Sequence, residues 1–240
     1  MAILAAFRPG VSALTNAEIA ERTQLPRSTI SRLTQTLLEC GFLWHDVTAG
    51  VYRLAAPILS LAHAMRLELD ILNVALPMMR EAAEGKRINV GLAVPDHMDM
   101  VYIESVRRNR GGLFRHVVSG SRIPMELTAL GRAHLATLDP ATFDAVMARL
   151  SERHSQDWPP IQRMILDAVR MVHEKKYCIV SWQSGMTSIA TPLVLPGQPS
   201  YVFNMSYASQ EISDSYARKE LAPSLLKLTA RVRLELSRPA

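Results

Sequence analysis

The 240-residue sequence predicts a mixed α+β chain in two parts, a small helical head closed by a β-hairpin and a larger domain built on antiparallel strands. Three observations carry that prediction. Two short helical patterns joined by a tight turn fill Thr15 to Gly41, and two strand patterns follow at once. From Ile88 onward the apolar period changes from helical to two-residue. The strands there come in hairpins with helical stretches between them, as in an antiparallel α+β domain with its helices on one side of the sheet.

Met1 to Phe7 reads as a short apolar helix stopped by Pro9-Gly10, able to complete a three-helix core. It is short for that job, and the pattern leaves room for an upstream extension. Thr15 followed by Glu18 has capping-box spacing, in which each side chain satisfies a backbone N–H of the other. Ala17, Ala20 and Leu25 supply small apolar contacts. The next helix is expected from about Pro26, whose missing N–H has no partner at a helix start anyway, to Cys40, with Gly41 as its left-handed stop. Its apolar stripe is Ile30, Leu33 and Leu37.

The other side of that helix carries Ser28, Ser31, Arg32 and Gln35, with Arg27 and Thr29 at its start and no acid before Glu39. Hydroxyls, an amide and guanidinium groups hydrogen-bond to base edges and phosphates, where an acid would be repelled. That is the composition of a recognition helix in a helix-turn-helix. A plain solvated face on a helical hairpin is the alternative. Leu43 to Asp46 and Val51 to Leu54, two strands around Thr48-Ala49-Gly50, decide for DNA, because a hairpin after a recognition helix is the wing of a winged helix. His45 and Arg53 are its phosphate candidates, or else solvated hairpin charges.

Composition excludes little by itself. Net charge is +5 and spread along the chain, which does not prove a nucleic-acid partner. The two cysteines, Cys40 and Cys178, form no CxxC and read as reduced thiols. No apolar run approaches a membrane span and no signal peptide is visible, so a cytoplasmic protein without a membrane partner is expected. The seven histidines are scattered, and HExxH, GxSxG, P-loop and GxGxxG patterns are missing. No enzymatic activity, cofactor or metal is expected.

Pro57 to about Arg66 and Asp70 to about Glu84 read as helices, the second ended by Gly85. Asn89 to Val94 and Met100 to Val106 read as a hairpin around Pro95-Asp96-His97. Arg107, Arg108 and Arg110 follow on a loop to Gly111-Gly112, read as solvated, and a third strand is expected over Gly112 to Val118. Thr128 is a natural N-cap for a helix from Ala129 to Leu138. Ala129, Gly131 and Ala133 are small enough for a ligand to approach the backbone, and the free N–H groups of a helix start suit an anion. Capping with tight packing explains the same residues. Thr142 to Leu150 and Ile161 to Lys175 are further helices around a polar loop with Pro159-Pro160. Strands are expected at Tyr177 to Gln183, Ser188 to Val194 and Tyr201 to Tyr207. A helical stretch covers Ser213 to Ser237, with Pro223 starting a new segment or kinking it. Thr191, Asn204 and Ser206 interrupt apolar runs with hydrogen-bonding groups; they face either solvent or a bound carboxylate.

AEIAERTQLPRSTISRLTQTLLECGFL, GVYRLAAPILSLA, GSRIPMELTALGRAHLA (Gly120 to Ala136) and SIATPLV (Ser188 to Val194) stand in the order found in the IclR family of bacterial transcriptional regulators, which the sequence resembles over most of its length. The resemblance implies a winged helix-turn-helix over 1–56, a linker helix over 57–70 and a GAF-like effector-binding and oligomerisation domain over 71–240. It implies a ligand-responsive regulator that binds double-stranded DNA at a palindromic operator as a homodimer or tetramer. The implied effector is a small organic acid, aromatic acids included, held near Thr128, Ala129, Leu130 and Gly131 and by Thr191, Asn204 and Ser206 on the late strands. The sequence departs from the family at Lys176, where Gly is usual, at Ala208-Ser209 in place of Gly-Pro, and at Gln183, where an acid is common. Two other functions compete. An enzyme acting on a small carboxylate with an accessory DNA-binding head lacks a catalytic constellation. A sensor-free architectural DNA protein does not need so large a C-terminal part.

Overall fold

A computed structural model describes residues 2–108 and 117–238. The chain divides into two compact units, Met1–Asp70 and Ile71–Ala240.

In the first unit, α1 (Ala2–Ala6), α2 (Asn16–Thr23) and α3 (Arg27–Glu39) precede β1 (Leu43–Asp46), β2 (Val51–Leu54) and α4 (Pro57–Leu67). The capping box is present: the Glu18 N–H donates to Thr15 Oγ1 at 3.2 Å and the Thr15 N–H to Glu18 Oε2 at 2.7 Å. Gln24, left-handed at φ 57°, turns the chain into α3, and Pro26 is its N-cap rather than its first residue. Gly41, at φ 72°, ends α3: its N–H donates to the Leu38 carbonyl and the Phe42 N–H to that of Leu37. Ile3, Leu14, Ile19, Ile30, Leu43 and Tyr52 form the core. The expected stripe of α3 needs one correction. Leu33 is exposed and Thr34 takes the buried place one turn after Ile30, because its hydroxyl donates to the Ile30 carbonyl at 2.9 Å and needs no water. β1 and β2 pair antiparallel, with Trp44 opposite Arg53 and His45 opposite Tyr52. Leu14 adds a short third edge through two backbone hydrogen bonds with Tyr52.

In the second unit, α5 (Asp70–Ala83), β3 (Asn89–Asp96), β4 (Asp99–Arg107) and β5 (Arg122–Pro124) lead to α6 (Ala129–Leu135), α7 (Pro140–Arg153) and α8 (Trp158–Lys175). β6 (Cys178–Gln183), β7 (Met186–Leu193) and β8 (Tyr201–Ala208) follow, then α9 (Asp214–Tyr216), a π-helical segment (Ala217–Leu221) and α10 (Ala222–Leu236). The sheet is antiparallel in the order β5-β4-β3-β8-β7-β6. The loop with Arg110 and the strand expected over 112–118, except Val117 and Val118, lie outside the described residues. The helix expected from Ala129 to Leu138 stops at Leu135. The widened π turn lies directly before Pro223, whose ring and missing N–H fit poorly inside a regular helix.

The sheet is covered on both faces, not one as the sequence suggested. Side-chain alternation and register put Gly91, Tyr102, Ser188, Ala190, Asn204 and Ser206 on one face, under α6. Leu92, Ile189, Thr191, Phe203 and Tyr207 point to the other, toward α10.

Candidate nucleic-acid interface and ligand cavity

On α3 the capless start leaves Arg27, Ser28, Ser31, Arg32 and Gln35 exposed, with Thr29 partly covered. Ser31 Oγ donates to the Arg27 carbonyl at 3.1 Å, and Gln35 Nε2 donates to Glu39 Oε1 at 2.9 Å. The Arg27 and Arg32 guanidinium groups have no partner among the described residues. One helix thus presents two unpaired cations and a row of short polar groups along a single side.

The wing separates its two candidates. His45 shares the core side of the hairpin with Tyr52, and their rings stack at 4.5 Å and 19°. Arg53 points to the outer side, its guanidinium 5.8 Å from the centre of the Trp44 ring and its Nη1 3.4 Å from the Ser12 carbonyl.

In the second unit a cavity of about 20 Å³, room for one water molecule, lies between α6 and the sheet. Asn204, nearly fully buried, organises its floor. Its amide nitrogen donates to the Tyr102 hydroxyl at 3.3 Å and to Ser188 Oγ at 2.9 Å. Both hydroxyls are therefore acceptors toward Asn204 and keep their own protons to donate. Ser206, paired with Ser188 across β7 and β8, lines the same space. Trp182, Ile123, Leu130 and Met186 supply apolar walls.

Of the expected ligand residues, Thr128, Ala129, Leu130, Asn204 and Ser206 line this cavity. The Thr128 hydroxyl is already used, donating to the Pro124 carbonyl at 2.9 Å and accepting from the Gly131 N–H at 3.3 Å. Gly131 does not line it; its bare Cα abuts the Met125 backbone, so the space expected for a ligand is filled by the chain itself. Thr191 lies on the opposite face, where its hydroxyl donates to the Lys176 carbonyl at 2.6 Å. Tyr102, Ser188 and Trp182 were not anticipated; alternation from Ser206 reaches Ser188 only once the β7–β8 register is known. Cys178 packs behind α6, its thiol donating to the Ala129 carbonyl at 3.4 Å, and burial pushes that thiol up to about 12.

A head with the layout of a DNA reader, followed by a sheet domain with an internal polar cavity, is the arrangement of a transcriptional regulator with a separate effector-binding domain. The model of the IclR helix-turn-helix domain matches residues 1–46, and that of the bacterial transcriptional regulator IclR C-terminal domain matches residues 63–232. The chain is 27% identical to the HTH-type transcriptional regulator TsaQ1/TsaQ2 of Comamonas testosteroni over 98% of its own length and 85% of that protein's. It superposes on the crystal structure of an IclR family transcriptional regulator from Brucella abortus with a TM-score of 0.87 at 31% identity, covering 97% of this chain and 89% of that one. An IclR homologue from Microbacterium hydrocarbonoxydans, crystallised with 4-hydroxybenzoate, shares the fold at 20% identity and a TM-score of 0.72, covering 98% and 96%. The chain belongs to the IclR family of bacterial transcriptional regulators. No helix among the described residues is long and apolar enough to cross a membrane.

Proposed function

We propose that this regulator reads a two-fold-symmetric operator through the outer side of α3 and senses a small organic acid, aromatic acids included, in the cavity under α6. Arg27, Ser28, Thr29, Ser31, Arg32 and Gln35 form the base- and phosphate-contacting set, with Arg53 as the wing's phosphate contact and His45 bracing the wing through its stack on Tyr52. Two copies fit such an operator, and α4 offers an apolar surface for self-association, with Leu59 at 74% and Leu61 at 58% exposed.

One observation carries the sensing half. Tyr102 and Ser188 accept from Asn204 and keep their protons, so with Ser206 three hydroxyl donors line one cavity. Asn204 Oδ1, an acceptor unpaired among the described residues, is turned toward Gly91, and the three hydroxyl donors among apolar walls suit a carboxylate. The cavity is too small for an aromatic acid, so the liganded form is a wider one. Preference of the acid for that form shifts the population and with it the affinity for DNA.

The test pairs two variants. Arg32→Ala abolishes operator binding in a mobility-shift assay and keeps the thermal shift with ligand. Asn204→Ala does the reverse. 4-Hydroxybenzoate is the first probe, followed by short aliphatic acids. Loss of both functions in either variant rejects this division of labour, and a full set of acids that leaves the melting point unchanged rejects the sensing role.

A further inference from the structure

An acid on the reading side of a DNA-binding helix needs a reason, because a carboxylate near phosphates is repelled. Glu39 lies four residues, one helical turn, after Gln35 at the end of α3, and both are exposed. Its Oε1 accepts from Gln35 Nε2 at 2.9 Å. We propose that Glu39 is a positioning residue that locks the Gln35 amide so that each recognition helix reads an adenine; this rests on α3 being the reading helix.

A free glutamine amide can turn over, offering either its oxygen or its NH2 group to a base edge. A carboxylate only accepts, so beside Glu39 the amide nitrogen must face the acid and the amide oxygen must face away. One of the two N–H groups is then committed to Glu39. The edge left for DNA is one N–H beside one carbonyl oxygen. Adenine presents the complement in the major groove, the N7 acceptor beside the N6 amino donor. Guanine presents two acceptors, N7 and O6, and would need both N–H groups of the amide. Glu39 holds one of them, so guanine meets the glutamine oxygen instead. The acid thus lowers general attraction to DNA and confers discrimination in return.

The experiment selects binding duplexes from a randomised pool with the full chain, then measures affinity for single-base variants of the winner. The wild type prefers adenine over guanine at one position of each half-site by about tenfold. Gln35→Ala loses the preference at that position alone. Glu39→Ala loses the same preference while binding to random duplex stays equal or rises, a split that a structural role for Glu39 would not give. Glu39→Gln, whose amide donates as well as accepts, no longer dictates which way the Gln35 amide faces and loses most of the preference too. Circular dichroism melting confirms that the variants fold. A preference unchanged in Gln35→Ala and Glu39→Ala, or a uniform loss on all duplexes in Glu39→Ala, overturns the assignment and leaves α3 as the reading helix. A wild-type chain that selects no duplex overturns both.

Discussion

Gly91 stands directly opposite Asn204 in the β3–β8 pairing, and a Cβ on Gly91 would overlap both Asn204 Oδ1 and the Tyr102 ring. The missing side chain on one strand is what lets a buried amide lie flat across the sheet and reach Tyr102 and Ser188. Gly91→Ala therefore expels the Asn204 amide and breaks both of its hydrogen bonds. The expected cost is about 1–3 kcal/mol, that of buried polar groups left unpaired. Chemical denaturation measures it. The ligand-dependent thermal shift should vanish in the same variant, while affinity of the unliganded protein for operator stays near that of the wild type.

Gly131 is held by packing. Its Cα faces the Met125 carbonyl and Cα more closely than any Cβ can tolerate, and backbone on both sides cannot yield as a side-chain tip can. Gly131→Ala is expected to cost roughly 1–3 kcal/mol, the range of an overpacked core. Thr128→Ala removes the cap of α6 for about 1 kcal/mol, and Thr128→Ser restores it. Equal ligand affinity in Thr128→Ala and the wild type would show that the hydroxyl serves α6 and not the ligand.

Local chemistry was legible in the sequence where a few neighbouring residues decide it. The Thr15–Glu18 box, the Gly41 stop and both wing strands need only short-range bonds, and they stand as read. What failed needs distant partners. Leu33 and Thr34 exchange places because a hydroxyl can satisfy itself on the preceding turn, which hydrophobic spacing does not register. Thr191 resembled Asn204 as a polar interruption of a strand, but cross-strand register sends it to the α10 side. Tyr102 and Asn204 are 102 residues apart, and nothing local pairs them. Glu126 and His154 are 28 residues apart; that buried carboxylate and half-buried imidazole meet only after α7 folds back near the start of α6.

Acid should destabilise the second unit through His134. Burial pushes its imidazole down to about 4 from the ordinary 6.5, and its Nδ1 lies 2.6 Å from Ser200 Oγ. The unfolded chain takes up this proton below about pH 6.5 and the folded chain only near 4, so its contribution is intact above 6.5 and is lost as pH falls between those values. The full difference is on the order of 3 kcal/mol. His134→Gln should flatten the dependence of unfolding free energy on pH across that window; parallel curves for the two proteins would refute the assignment.

Lys176 ends α8 in the left-handed region at φ 67°, a conformation that glycine adopts without cost. Its ammonium bond to the His173 carbonyl is exposed and worth little. Lys176→Gly is expected to stabilise the protein by roughly 0.5–1 kcal/mol, the relief of a left-handed Cβ less the added freedom of glycine in the unfolded chain. Lys176→Ala, which keeps the Cβ, should show no such gain. The two melting curves together separate backbone strain from loss of the charge.

The wing gives the sharpest contrast between two residues that the sequence treats alike. His45 and Arg53 both sit mid-strand in one hairpin, but the Tyr52 register turns them to opposite sides. Arg53 has its charge outside, braced by the Trp44 ring and the Ser12 carbonyl, and a braced cation loses less freedom on meeting a phosphate. Arg53→Ala should weaken binding to operator and random duplex alike and reduce the slope of log affinity against log salt by about 1. Trp44→Ala should weaken binding in the same uniform way but leave the slope nearly unchanged, because the charge remains and only its bracing is lost. His45→Ala should instead cost stability, by removing a ring stacked on Tyr52 over the core, with little change in the salt slope. If His45→Ala lowers the slope as much as Arg53→Ala does, the histidine swings out to a phosphate in the complex, and the sidedness seen in the free hairpin does not persist on DNA.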